Sequence, residues 1–221
     1  ITPGARTLVE GTAIYNLADL KPEISTQENT VNISQSEYQA SDFPALVEKK
    51  NRWNLQFGST PMNLTINAGA YKGNIDLGGL GLRNLNISDG ASEVKLDFSA
   101  PNKEKMSFFS YKTGASNVNI QNLANANFST FQFDSGAGNY TLDFGGTLQR
   151  DGSTVIQSGV SNLTLVIPAR LNATVKVEGG LSNIHFPDSW KKNGNIYTQS
   201  GIGPAMTIII EMGVGNVQVT D

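Results

Sequence analysis

Short segments in which apolar and polar residues alternate recur along this chain of 221 residues. The alternation has a period of two, which is typical of a β-strand with one buried face. No stretch of about 11 residues keeps the 3.6-residue apolar period of an amphipathic helix. The pattern therefore predicts an all-β protein.

One of these segments repeats with a recognisable sequence, in which asparagine precedes two alternating apolar residues. Copies of it lie at residues 63–66, 84–87, 117–120, 162–165 and 183–186. The first two copies are 21 residues apart, and so are the last two. A repeat at a fixed spacing indicates a solenoid, in which each unit stacks on the next. We therefore predict rungs of about twenty residues, with loops or an extra rung where the spacing is longer.

Each predicted rung holds a second alternating segment, separated from the first by a glycine-rich turn. These second segments lie at residues 74–77, 94–98, 140–144, 173–177 and 216–219. Glycine permits the positive φ angle that a tight turn can require. Two strands per rung are therefore expected.

The fold predicted is a single-stranded β-solenoid with projecting hairpins, and a two-sheet β-sandwich is the alternative. Asp151-Gly152 and Asn193-Gly194 each separate two short segments and predict hairpin turns. Residues 1–62 lack the repeat and are predicted to form an N-terminal β cap, because an uncovered terminal rung is an open edge. Residues 63–221 then form the solenoid domain.

The composition excludes several classes of function. Charged residues make up 16% of the chain and the formal net charge is −3, whereas a nucleic-acid binder usually carries a basic face. The absence of cysteine excludes disulfide frameworks and cysteine-ligated zinc. No apolar run reaches the roughly 18 residues of a membrane span, so any membrane attachment is expected to come from a segment outside this sequence.

Several motifs together resemble a known family. A Gly-x-Ser triplet precedes three of the repeated asparagines, at residues 114–116, 159–161 and 180–182. Further motifs are Asp-Ser-Gly-Ala-Gly at residues 134–138, the set Trp190, Asn193-Gly194 and Tyr197, and the closing residues 212–217. In order and spacing these motifs resemble the bacterial envelope β-solenoid domains called toast-rack and "putative adhesin". Those domains are similar to the C-terminal domain of LiaF-like cell-envelope stress proteins. The resemblance implies an extracytoplasmic, non-enzymatic domain with no catalytic motif to carry over.

An aromatic cluster is the candidate contact surface. Phe108, Phe109 and Tyr111 follow a polar stretch that contains two lysines. Aromatic side chains on a projecting arm could stack on sugar rings or dock on a partner. Packing of these rings back onto the sheet is the alternative.

The repeated asparagines are candidates for a structural role. Asn84, Asn117, Asn162 and Asn183 begin four copies of the repeat. Equivalent amides in stacked coils can hydrogen-bond along the stack. We therefore expect these residues to hold the turns in register as a ladder.

Three carboxylates and one histidine are the remaining candidates for chemistry. Asp76, Asp97 and Asp143 occupy the same place in different rungs, and carboxylates can serve acid–base catalysis or bind calcium. Solvent-facing strand positions or turn caps are the ordinary alternative. The single histidine, His185, points away from its apolar neighbours in an alternating segment and is expected to be exposed. We therefore predict no catalytic residue, no metal site and no cofactor.

The function predicted is that of a structural or interaction module of a bacterial cell envelope, at the cell surface or secreted. It would bind like an adhesin, without catalysis, to an envelope polymer, a protein or another copy of itself. A full-length protein could carry a lipid or membrane anchor. The alternatives are a LiaF-like domain that senses envelope stress and a β-helix that binds or cleaves polysaccharide.

Overall fold

The structure is a computed structural model, and it describes residues 1–35 and 50–221. Residues 36–49 of the predicted cap lie outside the described part. In the described residues the regular structure is almost entirely β, and the two helical segments are single turns of 3-10 helix, Ala18–Leu20 and Leu123–Ala126. The predicted all-β class is confirmed.

The first five strands belong to the N-terminal region. They are β1 Thr2–Pro3, β2 Val9–Tyr15, β3 Glu23–Gln27, β4 Thr30–Ser34 and β5 Asn51–Phe57. Strands β1, β5 and β2 form a three-stranded sheet in that order, and β3 pairs with β4 as a separate hairpin. This region lies outside the large sheet. The division of the chain at residue 62 stays a prediction.

The other nine strands form one sheet. They are β6 Met62–Asp76, β7 Leu82–Asp97, β8 Met106–Gln121, β9 Phe128–Asp143, β10 Gly152–Val166, β11 Asn172–His185, β12 Lys191–Asn193, β13 Ile196–Gln199 and β14 Ala205–Thr220. Their order in the sheet is β12-β13-β11-β14-β10-β9-β8-β7-β6. The seven long strands are parallel to one another. The last strand of the chain therefore lies between β10 and β11, an order that the repeat did not predict.

Each long strand is bent in the middle. Phe133 and Tyr140 belong to the same strand, yet their ring centroids are 5.2 Å apart. Seven residues of straight strand would separate them by roughly 23 Å, so the two halves of β9 must face each other. We call the half before the bend the first arm and the half after it the second arm. The two strands predicted for each rung are therefore the two arms of one continuous strand.

The bends are marked by glycine in every long strand. The bend glycines stack in sheet order as Gly69, Gly90, Gly114, Gly136, Gly159, Gly213 and Gly180. Parallel, in-register stacking of one bent strand per rung is the solenoid arrangement, and the predicted fold is confirmed. The parallel register shows that the two-sheet sandwich alternative is wrong.

The core consists of rows of apolar side chains that run along the stack, between the two arms and the return loops. In the first arms Phe109 stacks on Phe131 of the next strand, with ring centroids 4.3 Å apart. In the second arms the corresponding row runs through Val94, Val118, Tyr140 and Leu163, each at most 2% exposed. Each rung adds apolar side chains to the same rows, so burial stabilises the whole stack as one body.

The two ends of the stack are covered differently. At the first end, the Ile1 amino group donates to the Asn74 carbonyl oxygen at 2.8 Å, and the Asp76 amide donates to the Ile1 carbonyl oxygen at 2.8 Å. At the other end, β13 pairs with residues 173–176 of β11 only. The hairpin β12–β13 thus covers the first arm of β11 and leaves its second arm uncovered.

One of the two predicted hairpins is present. Asn193 pairs with Ile196 across the β12–β13 turn, and Gly194 adopts a φ of +61°. The hairpin predicted at Asp151-Gly152 is wrong, because residues 144–151 form a return loop without strand. The Asp151 carboxylate instead accepts a hydrogen bond from the Ala205 amide at 2.8 Å, which ties this loop to the start of β14.

Candidate binding face

A column of asparagines crosses the outer surface of the second arms. The column consists, in sheet order, of Asn117, Asn139, Asn162, Asn216 and Asn183. Three side-chain hydrogen bonds of 2.9, 2.9 and 2.7 Å join the first four amides, each Nδ2 donating to the Oδ1 of the preceding residue. We call these four residues the asparagine ladder. Each amide has two donor hydrogens and two acceptor sites, so every member keeps hydrogen-bonding capacity for a ligand.

The four asparagines singled out from the sequence do not form one ladder. Asn84 lies in a first arm, where its amide donates to Asn63 Oδ1 at 2.9 Å. The repeat precedes the bend glycine in the first two copies and follows it in the other three, so Asn84 and Asn117 belong to different arms. The sequence prediction also missed Asn139 and Asn216. Both follow a Gly-x-Gly triplet, which has the same spacing as the Gly-x-Ser triplet.

A second column runs beside the asparagines, two residues further along each strand. Its members are Asn119, Thr141, Thr164, Gln218 and His185. We call the two columns together the amide face. They carry hydroxyl, amide and imidazole groups and no carboxylate, ammonium or guanidinium group. A shallow depression of about 530 Å³ lies over the part of this face formed by β10, β14 and β11.

The outer surface of the first arms is charged in comparison. Lys112 Nζ lies 3.4 Å from an Asp134 carboxylate oxygen, and Gln157 donates to Glu211 at 2.7 Å. A further ion pair of 2.8 Å joins Lys72 and Glu93 beside the amide face, so the outer surface is charged again on that side. The uncharged region is therefore confined to the second arms of β8 to β11 and β14.

Comparison with known proteins places the chain in a family. The sequence model for the N-terminal domain of toast_rack, DUF2154, matches residues 1–121. The chain belongs to the toast-rack family. The match covers the N-terminal strands and the first three long strands of the sheet, and so extends through the boundary predicted at residue 62.

Structural comparison agrees with the all-β fold. The toast-rack chain is similar to the crystal structure of a "putative cell adhesion protein" from Clostridium sporogenes ATCC 15579, with a TM-score of 0.52 and 23% sequence identity. The alignment covers 99% of this chain and 85% of the other. At this identity the likeness supports the fold. No curated protein matches the sequence.

Two of the three residues predicted as a contact surface are inside the toast-rack core. Phe109 and Tyr111 are both 0% exposed, so they cannot contact a partner. Phe108 is half-buried on the outer surface of the first arm, between Asn84 and Thr130. The prediction failed because residues 106–111 are the first arm of a rung and not a projecting hairpin, and strand alternation turns two of the three rings inward.

The three repeated carboxylates accept hydrogen bonds from the loops that follow their own strand or the next one. Asp76 accepts hydrogen bonds from the Gly78 amide at 2.9 Å and from Ser99 Oγ at 2.8 Å. Asp97 accepts from Asn122 Nδ2 at 2.7 Å, and Asp143 from the Gly145 amide at 2.7 Å. This arrangement corresponds to the turn-cap alternative.

The single histidine of the toast-rack chain, His185, is exposed at the edge of the amide face, next to Gln218. Across residues 1–35 and 50–221, no group of three or more His, Cys, Asp or Glu side chains could hold a metal ion. In the same residues, no helix has the length and apolar character needed to cross a membrane.

A buried polar cluster lies at the bend between β7 and β8. Tyr111 donates to Asp89 Oδ2 at 2.9 Å and Thr113 donates to Asp89 Oδ1 at 2.5 Å. Thr113 also lies 2.6 Å from Ser116 Oγ. The hydroxyl of Tyr71 faces the Tyr111 hydroxyl and the Asp89 carboxylate of this cluster, but its buried oxygen lies outside hydrogen-bond geometry.

The cluster shifts the ionisation of both tyrosines. Burial, with the Asp89 carboxylate as a smaller cause, raises the pKa of Tyr71 to about 12. Burial followed by the neighbouring Tyr71 and Asp89 raises the pKa of Tyr111 further. Both hydroxyls therefore stay protonated at neutral pH and serve as fixed polar groups inside the stack.

Proposed function

We propose that this toast-rack chain is an adhesin-like binding module that works outside the cytoplasm, in a bacterial cell envelope, and holds its ligand on the amide face without catalysis. The observation that carries the proposal is the asparagine ladder, which fixes four outward amides in a row across four strands. The "cell adhesion" description of its structural relative and the envelope location implied by the family resemblance support the same role.

The chemistry of the face favours a neutral, hydroxyl-rich polymer as the ligand. Amides and hydroxyls offer donors and acceptors together, which matches the mixed hydrogen bonding of sugar hydroxyls. Neighbouring strands repeat these groups at a spacing of about 4.8 Å, so an extended glycan chain can make similar contacts on successive rungs. Because the ladder already orders the amides, binding costs little side-chain entropy. Nucleic acid is not a proposed partner, since the face lacks basic residues.

The absence of catalysis is part of the proposal. Asp76, Asp97 and Asp143 accept hydrogen bonds from loops that follow their own strand or the next one. A glycosidase needs two carboxyl groups that flank the bond to be broken, and the amide face carries none. A polysaccharide-cleaving role is therefore disfavoured, and a polysaccharide-binding role is favoured.

The test is co-sedimentation of the purified chain with isolated cell walls, membranes and insoluble neutral glycans. The test variant is the double substitution Gln218→Glu with Thr164→Glu. It places two negative charges on the amide face and leaves the asparagine ladder unchanged. The control is Thr207→Glu, an exposed position in the first arm of β14. We expect saturable retention on walls or glycan, reduced at least tenfold in the double variant and unchanged in the control.

Three outcomes contradict the proposal. Absence of retention on every fraction argues against an envelope-binding role. Retention on membranes alone, lost after protease treatment of the membranes, supports the LiaF-like alternative, in which a protein is sensed in place of a polymer. If Thr207→Glu loses retention as severely as the double variant does, the contact does not lie on the amide face.

A further inference from the structure

We propose that the open edge of the second arm of β11 is a strand-addition site, which binds an extended peptide segment of a partner protein as one more rung of the stack. This inference does not depend on glycan binding, because the main-chain edge and the exposed apolar row of one strand carry it, whatever the amide face binds.

The edge is open because β11 is paired unequally on its two sides. On one side it pairs with β14 from Asn172 to His185. On the other side it pairs with β13 over residues 173–176 only, and the last contacts are two hydrogen bonds between Val177 and Asn195. No strand in the described part of the chain pairs with the outer edge of residues 178–185. The main-chain N–H and C=O groups on that edge therefore form a template for another strand.

The apolar core is also open at this edge. Ile184 is in register with Val217, which in turn pairs with Leu163, and these two side chains are each 1% exposed. Ile184 occupies the same inward row but is 38% exposed, because no further rung lies over it. In the first arm, by contrast, Val177 is covered by the hairpin and is 8% exposed. An apolar side chain on an added strand would complete the row at Ile184.

The asparagine column also ends at this edge, with its last member unpaired in the part of the chain that the structure describes. Asn216 donates to Asn162, and Asn183 follows in register but has no hydrogen bond to Asn216. An added strand with a polar residue at this level can therefore meet a free amide. A strand with alternating apolar and polar residues fits both rows.

The shape of this end favours a single extended peptide over a second folded copy. Strands β13 and β12 continue the sheet beyond β11 in the first arm only, so the open edge is recessed by two strand spacings, or about 10 Å. A folded domain that approaches the edge would meet the hairpin first. The edge is also short: the five residues 181–185 after the bend span roughly 17 Å, too little to bury the ~800 Å² per partner of a stable protein interface.

A peptide does not need that area, because strand addition obtains its affinity from main-chain hydrogen bonds and a few side-chain contacts. The natural probe is a synthetic peptide with the sequence of residues 213–220, Gly-Val-Gly-Asn-Val-Gln-Val-Thr. This sequence already pairs in parallel with β11 on its other side. The control peptide has lysine in place of its last two valines, so that it lacks the apolar row.

The test measures binding of the labelled peptide by fluorescence anisotropy to the full chain, to Ile184→Lys and to Val214→Lys. Val214 is the matched control, since it is an exposed apolar residue of the neighbouring strand, 50% exposed at the bend. We expect binding in the micromolar range, weakened at least tenfold by Ile184→Lys and by the control peptide and unchanged by Val214→Lys. Hydrogen exchange of the amides of residues 178–185 should slow when the peptide is bound, and this readout does not depend on any variant.

Several results would overturn the inference. They are the absence of binding up to millimolar peptide, equal binding by Ile184→Lys and the wild-type chain, or protection of amides elsewhere in the chain. Sedimentation velocity that shows a dimer lost in Ile184→Lys would assign the edge to a second copy instead. Glycan retention by Ile184→Lys should equal that of the wild-type chain, so failure of this inference and failure of the proposed function are distinguishable.

Discussion

The carbonyl oxygen of Gly90 lies 2.5 Å from the position that a Cβ atom on Gly114 would occupy. The next step along the column is similar, with 2.6 Å between the Gly114 oxygen and a Cβ on Gly136. Neither Gly114 nor Gly136 has a φ in the left-handed region. Gly114 and Gly136 are therefore required because successive strands approach too closely for a side chain. The positive φ that the sequence suggested for these turns occurs two residues after a bend glycine, at Gly138 (+152°) and Gly215 (+146°).

Replacement of a bend glycine should be costly wherever the preceding strand is this close. Gly114→Ala should lower the free energy of unfolding by about 1–3 kcal/mol, the usual range for an overpacked site. Gly69→Ala is the matched control, because Gly69 occupies the same place in the first strand and a Cβ there would meet no atom within 4 Å. Urea unfolding should show a change within about 0.5 kcal/mol for the control. Equal destabilisation of the two variants would contradict the steric explanation.

The asparagine ladder should contribute to stability through its interior members. Asn162 donates to Asn139 and accepts from Asn216, so Asn162→Ala removes two hydrogen bonds. We expect a loss of about 1–2 kcal/mol, since each bond contributes roughly 0.5–1.5 kcal/mol net. Asn183→Ala removes no ladder bond and should change stability by less than about 0.5 kcal/mol. Thermal unfolding measured by circular dichroism distinguishes the two, and equal shifts would show that the ladder bonds carry no stability.

The stacked rungs could be predicted from the sequence because the period of two and the 21-residue spacing are both local signals. The order of the strands could not be predicted, because the second arms are nearly equivalent. Asn216 and Asn183 begin similar segments, and either could lie beside Asn162. The chain places Asn216 there, and this choice depends on long-range packing that no local pattern records.

The candidate site could be predicted in part for a related reason. The repeat marks a strand arm but does not say which side of the bend the arm lies on. Asn84 and Asn117 therefore looked equivalent although they lie in different arms. For the aromatic residues, the sequence prediction treated residues 106–111 as an arm of a projecting hairpin, but they form the first arm of a rung. Phe108 and Phe109 are neighbours on that strand and therefore lie on opposite faces, one outward and one inward.

The two phenylalanines should respond very differently to truncation. Phe109 is 0% exposed and stacks on Phe131, so Phe109→Ala should cost about 3–5 kcal/mol by leaving a cavity. Phe108 is half-buried on the outer surface, and Phe108→Ala should cost less than about 1 kcal/mol. Urea unfolding measures both. A large loss for Phe108 and a small loss for Phe109 would reverse the assignment of the inward face.

The buried cluster offers a matched pair of tyrosines. Tyr111→Phe removes the hydrogen bond to Asp89 and leaves a buried carboxylate with one partner fewer, which should cost about 1–3 kcal/mol. Tyr71→Phe removes a buried hydroxyl oxygen that makes no hydrogen bond among the described residues, so it should be neutral or slightly stabilising. The midpoint of urea unfolding should therefore fall for Tyr111→Phe and stay unchanged or rise slightly for Tyr71→Phe. A loss for Tyr71→Phe as large as for Tyr111→Phe would show that its hydroxyl is satisfied in solution.

Stability should fall at alkaline pH because of the same two tyrosines. An unfolded tyrosine has a pKa of about 10, whereas burial raises the pKa of Tyr71 to about 12 and raises the pKa of Tyr111 further. Above pH 10 the unfolded chain therefore loses these protons while the folded chain keeps them, and the free energy of unfolding decreases as pH rises. Below pH 10 both states are protonated at these sites and the contribution is constant. Urea unfolding at pH values from 8 to 11.5 should show the decline, and the double variant Tyr71→Phe with Tyr111→Phe should make it shallower. Curves that stay parallel between the wild-type chain and the double variant would show that these hydroxyls do not control the alkaline limit.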